Sequence, residues 1–175
     1  MKQILVLSDT HGRNSVHQEL RNLYPNADAY LHCGDSESPE SELDGFVSVK
    51  GNNDVYYDYP TQIILDLDGV RILLIHGHQY PMYHMVERLI QKAKEEECQL
   101  VLYGHSHTFK VTREEGITLV NPGSIHHNRD ASLPSYALIT LNKGEITVER
   151  KEYPWPEKKR KWFWFLNLSF KFGKM

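Results

Sequence analysis

The stretch Met1-Lys-Gln-Ile-Leu-Val-Leu-Ser-Asp-Thr-His-Gly12 decides the fold of this chain. Residues 4–7 form an unbroken apolar run that is too short for an ordinary helix, and polar residues and a glycine follow it. Such a run is typical of a buried strand, and we predict that it is a parallel one. The strand then leads directly into Asp9, Thr10 and His11.

Asp9 and His11 therefore follow the end of the predicted strand. In open α/β sheets ligands bind at this edge, where a carboxylate and an imidazole two residues apart can reach one point in space. The alternative is that Asp9 caps a helix and that His11 is an ordinary surface histidine. Because Asp-x-His triplets are common by chance, this stretch alone supports the two interpretations equally.

The bulk properties indicate a single globular domain. With 175 residues, of which 40% are hydrophobic, the chain can bury a sizeable core. The longest apolar runs, such as 72–75 and 100–103, are far shorter than the ~20 residues that cross a bilayer. The N-terminus also lacks the apolar segment and cleavage site of a signal peptide. We therefore expect a cytoplasmic protein without a transmembrane segment, with Cys33 and Cys98 as reduced packing residues.

Charge is unevenly distributed along the chain. Residues 151–175 carry a net charge of +5 and residues 1–150 a net charge of −8. An acidic body argues against broad nucleic-acid binding and suits a protein that holds cations. We place one domain at residues 1–153 and a basic, aromatic extension at 154–175. The extension could contact a membrane surface, stack on nucleic acid or add a strand in a dimer. We favour a fourth alternative, in which it covers an apolar patch of the body. The partner of the extension is unknown.

The remaining pattern predicts alternating strands and helices followed by hairpins. Apolar spacing predicts amphipathic helices over 14–23 and 82–97, and Asp68-Gly69 between two apolar runs is a strong hairpin signal. The predicted strands span 29–32, 46–49, 63–67, 70–75, 99–103, 110–113, 117–120, 136–141 and 145–150, with a turn and short helix within 36–43. This order predicts an α/β fold of two sheets packed face to face, with helices outside.

Five predicted strand ends carry residue types that bind metals. In chain order they hold Asp9 with His11, then Asp35, Asn52, His76, and His105 with His107. Each cluster contains a glycine, as expected where backbone packs closely against a bound ion or phosphate. Chance accounts for one or two such ends, but not for five in order. Oxygen from Asp and Asn with nitrogen from His is the ligand set that Mn²⁺, Fe, Zn²⁺ or Ni²⁺ would take.

The blocks Asp-x-His, Gly-Asp, Gly-Asn, His and Gly-His-x-His appear in one order between Asp9 and about Ser124. In this the chain resembles the calcineurin-like metallophosphoesterases, and most of all their small bacterial and archaeal phosphodiesterases. The resemblance implies a four-layer αββα sandwich of two mixed sheets flanked by helices, with a two-metal site at the strand ends. It places Asp9, His11 and His107 on one metal and Asn52, His76 and His105 on the other, with Asp35 bridging them.

The resemblance also implies the chemistry. Two divalent transition-metal ions are expected, Mn²⁺ first, with Ni, Fe, Zn or Co as alternatives. A metal-bridging hydroxide would attack the phosphorus of a small phosphodiester substrate. The alternatives are a phosphomonoesterase and a non-catalytic metal-binding scaffold, as in the retromer subunit that shares this fold. Retention of all seven ligands favours the enzyme, and the resemblance is also compatible with a homodimer.

Asn53 departs from the pattern of this superfamily, in which a histidine usually occupies that position as a general acid. An amide can donate a hydrogen bond but cannot supply a proton. Our hypothesis is that Asn53 orients or stabilises the phosphate or the leaving oxygen, and that Asp54 orients Asn53. His78, His126 and His127 are candidates for a substitute proton donor.

Overall fold

The computed structural model describes residues 1–154, which form two mixed five-stranded sheets and two α-helices. In spatial order, the first sheet contains β10 (Glu145–Glu152), β9 (Ser135–Asn142), β1 (Lys2–Leu7), β2 (Ala29–His32) and β3 (Val47–Ser48). The second contains β4 (Gln62–Leu67), β5 (Val70–Ile75), β6 (Leu100–Leu102), β8 (Ile117–Pro122) and β7 (Phe109–Glu114). The helices are α1 (Ser15–Leu23) and α2 (Met85–Glu95), with 3-10 turns at Glu40–Glu42 and Met82–His84.

Strand β1 shows how the layers are built. Its side chains alternate, so Ile4 and Val6 belong to the core between the two sheets, whereas Leu5 and Leu7 pack in the core that contains α1. Strand β5 divides in the same way, because Ile72 faces the core between the sheets and α2 packs over the other face. The layers are therefore helix, sheet, sheet, helix, which confirms the predicted αββα sandwich.

The parallel strands of each sheet carry the site. Strand β1 pairs parallel to β2 and antiparallel to β9, so the prediction of a parallel strand holds on one side. In the second sheet β6 lies parallel to both β5 and β8. Because the carboxyl ends of parallel strands meet at the same edge, the loops that follow them are brought together.

Most predicted elements are confirmed, with small differences at their ends. The hairpin at Asp68-Gly69 joins β4 to β5, and the two later hairpins also form as predicted. Helix α2 begins at Met85 because residues 82–84 form a 3-10 turn first. The strand predicted over 46–49 is only two residues long, because the amide of Phe46 closes a turn onto the carbonyl of Leu43 at 3.0 Å.

Two further predictions concern cysteines and the C-terminal extension. Cys33 and Cys98 are both buried and unpaired to any other cysteine in the described part of the chain. Residues 155–175 lie outside the described residues. The interpretations of the basic and aromatic extension therefore concern a segment that the structure does not describe. Among the helices of residues 1–154, none is both long and apolar enough to cross a bilayer.

Protonation of His17 is expected to destabilise the domain in acid. Its side chain is fully buried in contact with Phe46 and His32, and this burial lowers the pKa of His17 from 6.5 to about 4. The unfolded chain therefore takes up a proton near pH 6.5, whereas the folded chain does so only near pH 4. In the unsubstituted protein this difference should lower the free energy of unfolding by about 2 kcal/mol between pH 7.5 and pH 5. The His17→Leu variant should lack this part of the loss when both proteins are measured in EDTA.

Urea unfolding at the two pH values measures this difference. The matched control is His84→Gln, because His84 is exposed and its replacement should leave the pH dependence unchanged. An equal loss of stability in the His17→Leu variant and the unsubstituted protein would contradict the assignment.

Candidate metal centre

The loops after five strands bring the predicted ligands to one edge of the sandwich. Two groups of side chains have ligand atoms that lie within 4.8 Å of one another. The first group is Asp9, His11 and His107, and the second is Asp9, Asp35 and His76. The two groups therefore form one continuous cluster rather than two separate sites.

The ligand atoms of the first group lie close to one another. His11 Nε2 lies 3.4 Å from His107 Nε2, and His107 Nε2 lies 3.0 Å from Asp9 Oδ1. Asp9 and His11 follow β1, whereas His107 follows β6 in the other sheet, so the group joins the two sheets.

The second group lies around His76, directly after β5. His76 Nε2 lies 3.6 Å from Asp35 Oδ2 and 3.3 Å from Asn52 Oδ1. The His105 ring is 5.3 Å from the His76 ring, and the His105 amide donates to Asp9 Oδ2 at 3.2 Å. Asn52 and His105 therefore lie beside His76 and Asp9 at the second group.

Asp9 belongs to both groups, and Asp35, which the resemblance implies as the bridge, lies in the second group beside His76. Asn53 binds the Asp35 carboxylate. Its amide nitrogen donates to Asp35 Oδ1 at 2.7 Å and its side-chain nitrogen to Asp35 Oδ2 at 2.6 Å. These two bonds hold the Asp35 carboxylate towards Asn53 and His76.

Three histidines present the same ring nitrogen to the centre. The Nδ1 atoms of His11, His76 and His107 donate to Glu37 Oε1 at 2.6 Å, the Cys33 carbonyl at 2.6 Å and the His127 carbonyl at 3.1 Å. In each neutral ring the lone pair is then on Nε2, which faces other acceptor atoms of the cluster. Acceptors that face one another at 3.3 to 3.4 Å repel unless a cation lies between them.

Asp9 supplies an independent test of whether a metal fits. Its side chain is fully buried, and Oδ1 accepts no hydrogen bond from the described residues even though His107 Nε2 is close. Burial raises the pKa of Asp9, but His107 and His76, when they are protonated, outweigh this effect and lower its pKa to about 2. A buried, ionised and unsatisfied carboxylate oxygen requires a cation. The residues present therefore fit a bound divalent metal.

Five of the seven predicted ligands have a backbone conformation that is rare for L-residues. Asp9, His11, Asp35, His105 and His107 have φ between 46° and 66°. Such left-handed residues cost about 1 to 3 kcal/mol each and occur mainly where the surrounding structure holds them. Here the amide of Asp9 donates to the Gly34 carbonyl at 3.0 Å, and that of His11 to the Asp35 carbonyl at 3.1 Å.

The glycines of the motifs allow the loops to approach the two carboxylates. A Cβ added to Gly51 would lie 2.0 Å from Asp35 Oδ1, and one added to Gly104 would lie 2.0 Å from Ser8 Oγ and 2.9 Å from Asp9 Oδ2. The sequence pattern predicted close backbone packing at these positions. In the structure the backbone packs against the aspartates themselves.

Asp54 does not orient Asn53, which corrects our hypothesis. Its Oδ1 accepts from Ser36 Oγ at 3.2 Å and the Glu37 amide at 2.7 Å, and its Oδ2 accepts at 2.8 Å from the amides of Asp35 and Gly51. These four donors satisfy a fully buried carboxylate. Asp54 therefore fixes the loop after β2 against the loop after β3, and both loops carry predicted ligands.

The proposed substitute proton donors surround the cluster. The His126 ring lies 5.5 Å from the His11 ring, and the His78 ring lies 5.3 Å from the His76 ring. His127 contributes its backbone carbonyl to His107. Ser124 supports this loop, because its hydroxyl donates to the Asp9 carbonyl at 2.9 Å.

The sequence reasoning missed Glu37, whose carboxylate contacts the predicted ligand His11. It lies in a segment interpreted only as a turn and short helix, two residues after the Gly34-Asp35 motif. Its carboxylate accepts the Nδ1 proton of His11 and so fixes which nitrogen of His11 faces the centre. The sequence does show a carboxylate that follows a ligand motif by two residues. Nothing in the pattern indicates that this side chain points towards His11.

A family model for the calcineurin-like phosphoesterase superfamily domain matches residues 1–144. The chain belongs to this superfamily. A probable metallophosphoesterase of Mycoplasma genitalium is 35% identical over 154 residues, which cover 84% of this chain and 92% of that protein. The crystal structure of a predicted phosphoesterase from Streptococcus pneumoniae superposes with a TM-score of 0.80 at 34% identity, covering 87% of this chain and 93% of the other.

An archaeal phosphodiesterase of known structure has the same fold. It superposes with a TM-score of 0.66 at 20% identity and covers 85% of this chain and 99% of its own. Members of the superfamily bind divalent metals, so the geometry described above agrees with the family. The resemblance stated from the sequence motifs is confirmed.

Replacing Glu37 by Gln should weaken metal binding. The carboxamide is a weaker acceptor for the Nδ1 proton of His11, and loss of such a partner typically lowers metal affinity about tenfold or more. Isothermal titration of metal-stripped protein with Mn²⁺ measures the change. Glu40→Gln is the matched control, because Glu40 is exposed in the neighbouring 3-10 turn. Equal affinities in the two variants would exclude a positioning role for Glu37.

Proposed function

We propose that the protein is a metal-dependent phosphodiesterase that hydrolyses small phosphodiesters. The observation that carries this proposal is the pair of ligand groups that share Asp9, whose buried Oδ1 accepts no hydrogen bond within residues 1–154 although His107 Nε2 lies 3.0 Å away. The fold shared with an archaeal phosphodiesterase supports the same reaction class.

Two divalent ions are proposed to bind in the cluster, and Mn²⁺ is the first choice for its mixture of oxygen and imidazole ligands. When bound, such ions make water available as a nucleophile near neutral pH and neutralise charge on the phosphoryl oxygens. The residues proposed to hold them are Asp9, His11, Asp35, Asn52, His76, His105 and His107. Acidification should release the ions, because protons compete for the same ring nitrogens.

Residues around the cluster would position the substrate. Arg129 lies next to the cluster in the chain, because its amide donates to the His107 carbonyl at 2.9 Å. A guanidinium there can bind a phosphoryl oxygen. Asn53 is also proposed to position Asp35, because its side-chain nitrogen donates to Asp35 Oδ2 at 2.6 Å.

The surroundings of the cluster favour a diester over a monoester. A diester has two organic groups, and the second needs space beside the reacting phosphate. The structure has such space, because a pocket of about 340 Å³ lies beside Asn52 and His78. Catalytic pockets of this kind commonly lie within the range of about 300 to 1,000 Å³.

Hydrolysis of bis-p-nitrophenyl phosphate and p-nitrophenyl phosphate tests the proposal. Metal-stripped protein should be inactive, added Mn²⁺ should restore diester cleavage, and Asp35→Asn should lower kcat/KM about a hundredfold or more, since it removes a charged ligand. Asp66→Asn on exposed β4 is the matched control. His105→Asn provides a second, half-buried ligand variant, and circular dichroism checks that each variant folds.

The outcomes separate the alternatives. Faster cleavage of the monoester than of the diester would assign a phosphomonoesterase. Metal binding without turnover of either ester would overturn the catalytic assignment. Diester cleavage that persists in both ligand variants would show that the reaction occurs elsewhere.

A further inference from the structure

A pocket adjoins the metal centre on the side of the second ligand group. It is lined by Lys50, Gly51, Asn52, Val55, Thr61 and His78. Asn52 belongs to both the pocket and the predicted ligand set, since its Oδ1 is 3.3 Å from His76 Nε2. The His78 ring is 5.3 Å from the His76 ring and 6.3 Å from the His105 ring. A group that leaves the centre on this side therefore enters the pocket directly.

Lys50 supplies an uncompensated positive charge to this pocket. Several other lysines pair with carboxylates, as Lys2 does with Asp28 at 2.8 Å and Lys92 with Glu96 at 2.6 Å. Within residues 1–154, the Lys50 ammonium makes no ion pair or hydrogen bond, although residues 1–150 carry a net charge of −8. An ammonium group beside a phosphoesterase centre favours an anionic group on the ligand.

His78 adds a polar group to the lining of the pocket. An imidazole can hydrogen-bond to an anionic group of a ligand.

The pocket wall is preorganised, because the loop over residues 51–60 is anchored at three points. The Lys50 amide donates to the Pro60 carbonyl at 2.8 Å and closes the base of the loop. Tyr59 is buried and its hydroxyl donates to the Ser38 carbonyl at 2.7 Å. Asp54 holds the loop start through its hydrogen bond from Gly51. The apolar tip, with Val55 67% exposed, is thus presented to solvent by a fixed loop.

We propose that this pocket binds one ester group of the phosphodiester, an organic group that carries a further phosphate. The body of the group packs on Val55 and the methyl of Thr61, while its phosphate binds the Lys50 ammonium. This inference rests on the proposed function for the position of the scissile phosphate. It restricts the substrate class to diesters with a second phosphate close to the bond that is cleaved, such as phosphorylated nucleotide fragments.

Binding of two nucleotides to the Mn²⁺-loaded protein tests the pocket apart from catalysis. Thymidine 3′,5′-bisphosphate can occupy the metal centre and the pocket together, whereas thymidine 5′-monophosphate can satisfy only one of them. Isothermal titration should show about tenfold tighter binding of the bisphosphate, the size expected for one added charge contact. Phosphorus NMR confirms that both ligands remain intact during the titration.

Three variants locate this advantage. Lys50→Gln keeps most of the side-chain stem but removes the charge, and it should abolish the preference for the bisphosphate. Val55→Glu adds a negative charge to the exposed wall and should weaken bisphosphate binding more than monophosphate binding. Lys143→Gln is the matched control, because Lys143 lies in the β9–β10 turn at the opposite end of β1 from the centre, and it should retain the preference.

Hydrolysis of bis-p-nitrophenyl phosphate by the same samples separates the two proposals. Equal affinity for the two nucleotides, or a preference that survives Lys50→Gln, overturns the pocket assignment even when the diester is cleaved. A preference that Lys50→Gln abolishes supports the pocket even when no ester is cleaved, and in that case the catalytic proposal alone fails.

Discussion

Three buried carboxylates, Asp9, Asp35 and Asp54, determine how this edge of the molecule is organised. Each is at most 1% exposed, and an ionised group removed from water costs several kcal/mol unless it is compensated. Asp54 is satisfied by four hydrogen bonds, and Asp35 by Asn53 with His76 nearby. Asp9 is different, because one of its oxygens accepts no hydrogen bond from residues 1–154. The cluster is therefore complete only when positive charge is bound beside Asp9.

The fold prepares this cluster before any ion arrives. Two sheets deliver ligands from opposite sides, and Asp54 fixes two of the loops against each other. Left-handed backbone at Asp9, His11 and His107 is held by hydrogen bonds from neighbouring loops and by the packing around them. Because the Nδ1 atoms already donate to fixed oxygens, the rings need little reorganisation to bind a metal. The same rigidity extends to the loop of residues 51–60, which would give the substrate a preformed place to bind.

The fold and the clustering of Asp9, His11, Asp35, His76 and His107 at one edge could be predicted from the sequence because they depend on local patterns. The apolar run of β1, the Asp68-Gly69 turn and the spacing of α2 each follow from the residues near them. The partners of buried polar groups could not be predicted, because they depend on contacts between distant segments. Asp54 was assigned to its neighbour Asn53, yet it binds the loop after β2, and Glu37 was missed for the same reason. Sequence spacing indicates which side chains share an edge, but not which hydrogen bond each side chain makes.

The most direct test of a shared two-ion cluster is the electron paramagnetic resonance spectrum of the metal-stripped protein titrated with Mn²⁺. The two ions of a two-metal site lie ~3.5–4 Å apart. Two Mn²⁺ ions at this distance couple magnetically, whereas a single bound Mn²⁺ ion has no partner to couple with. We expect binding to saturate at two ions per chain and the saturated protein to give the spectrum of a coupled pair. Saturation at one ion, or two ions with uncoupled spectra, would contradict it.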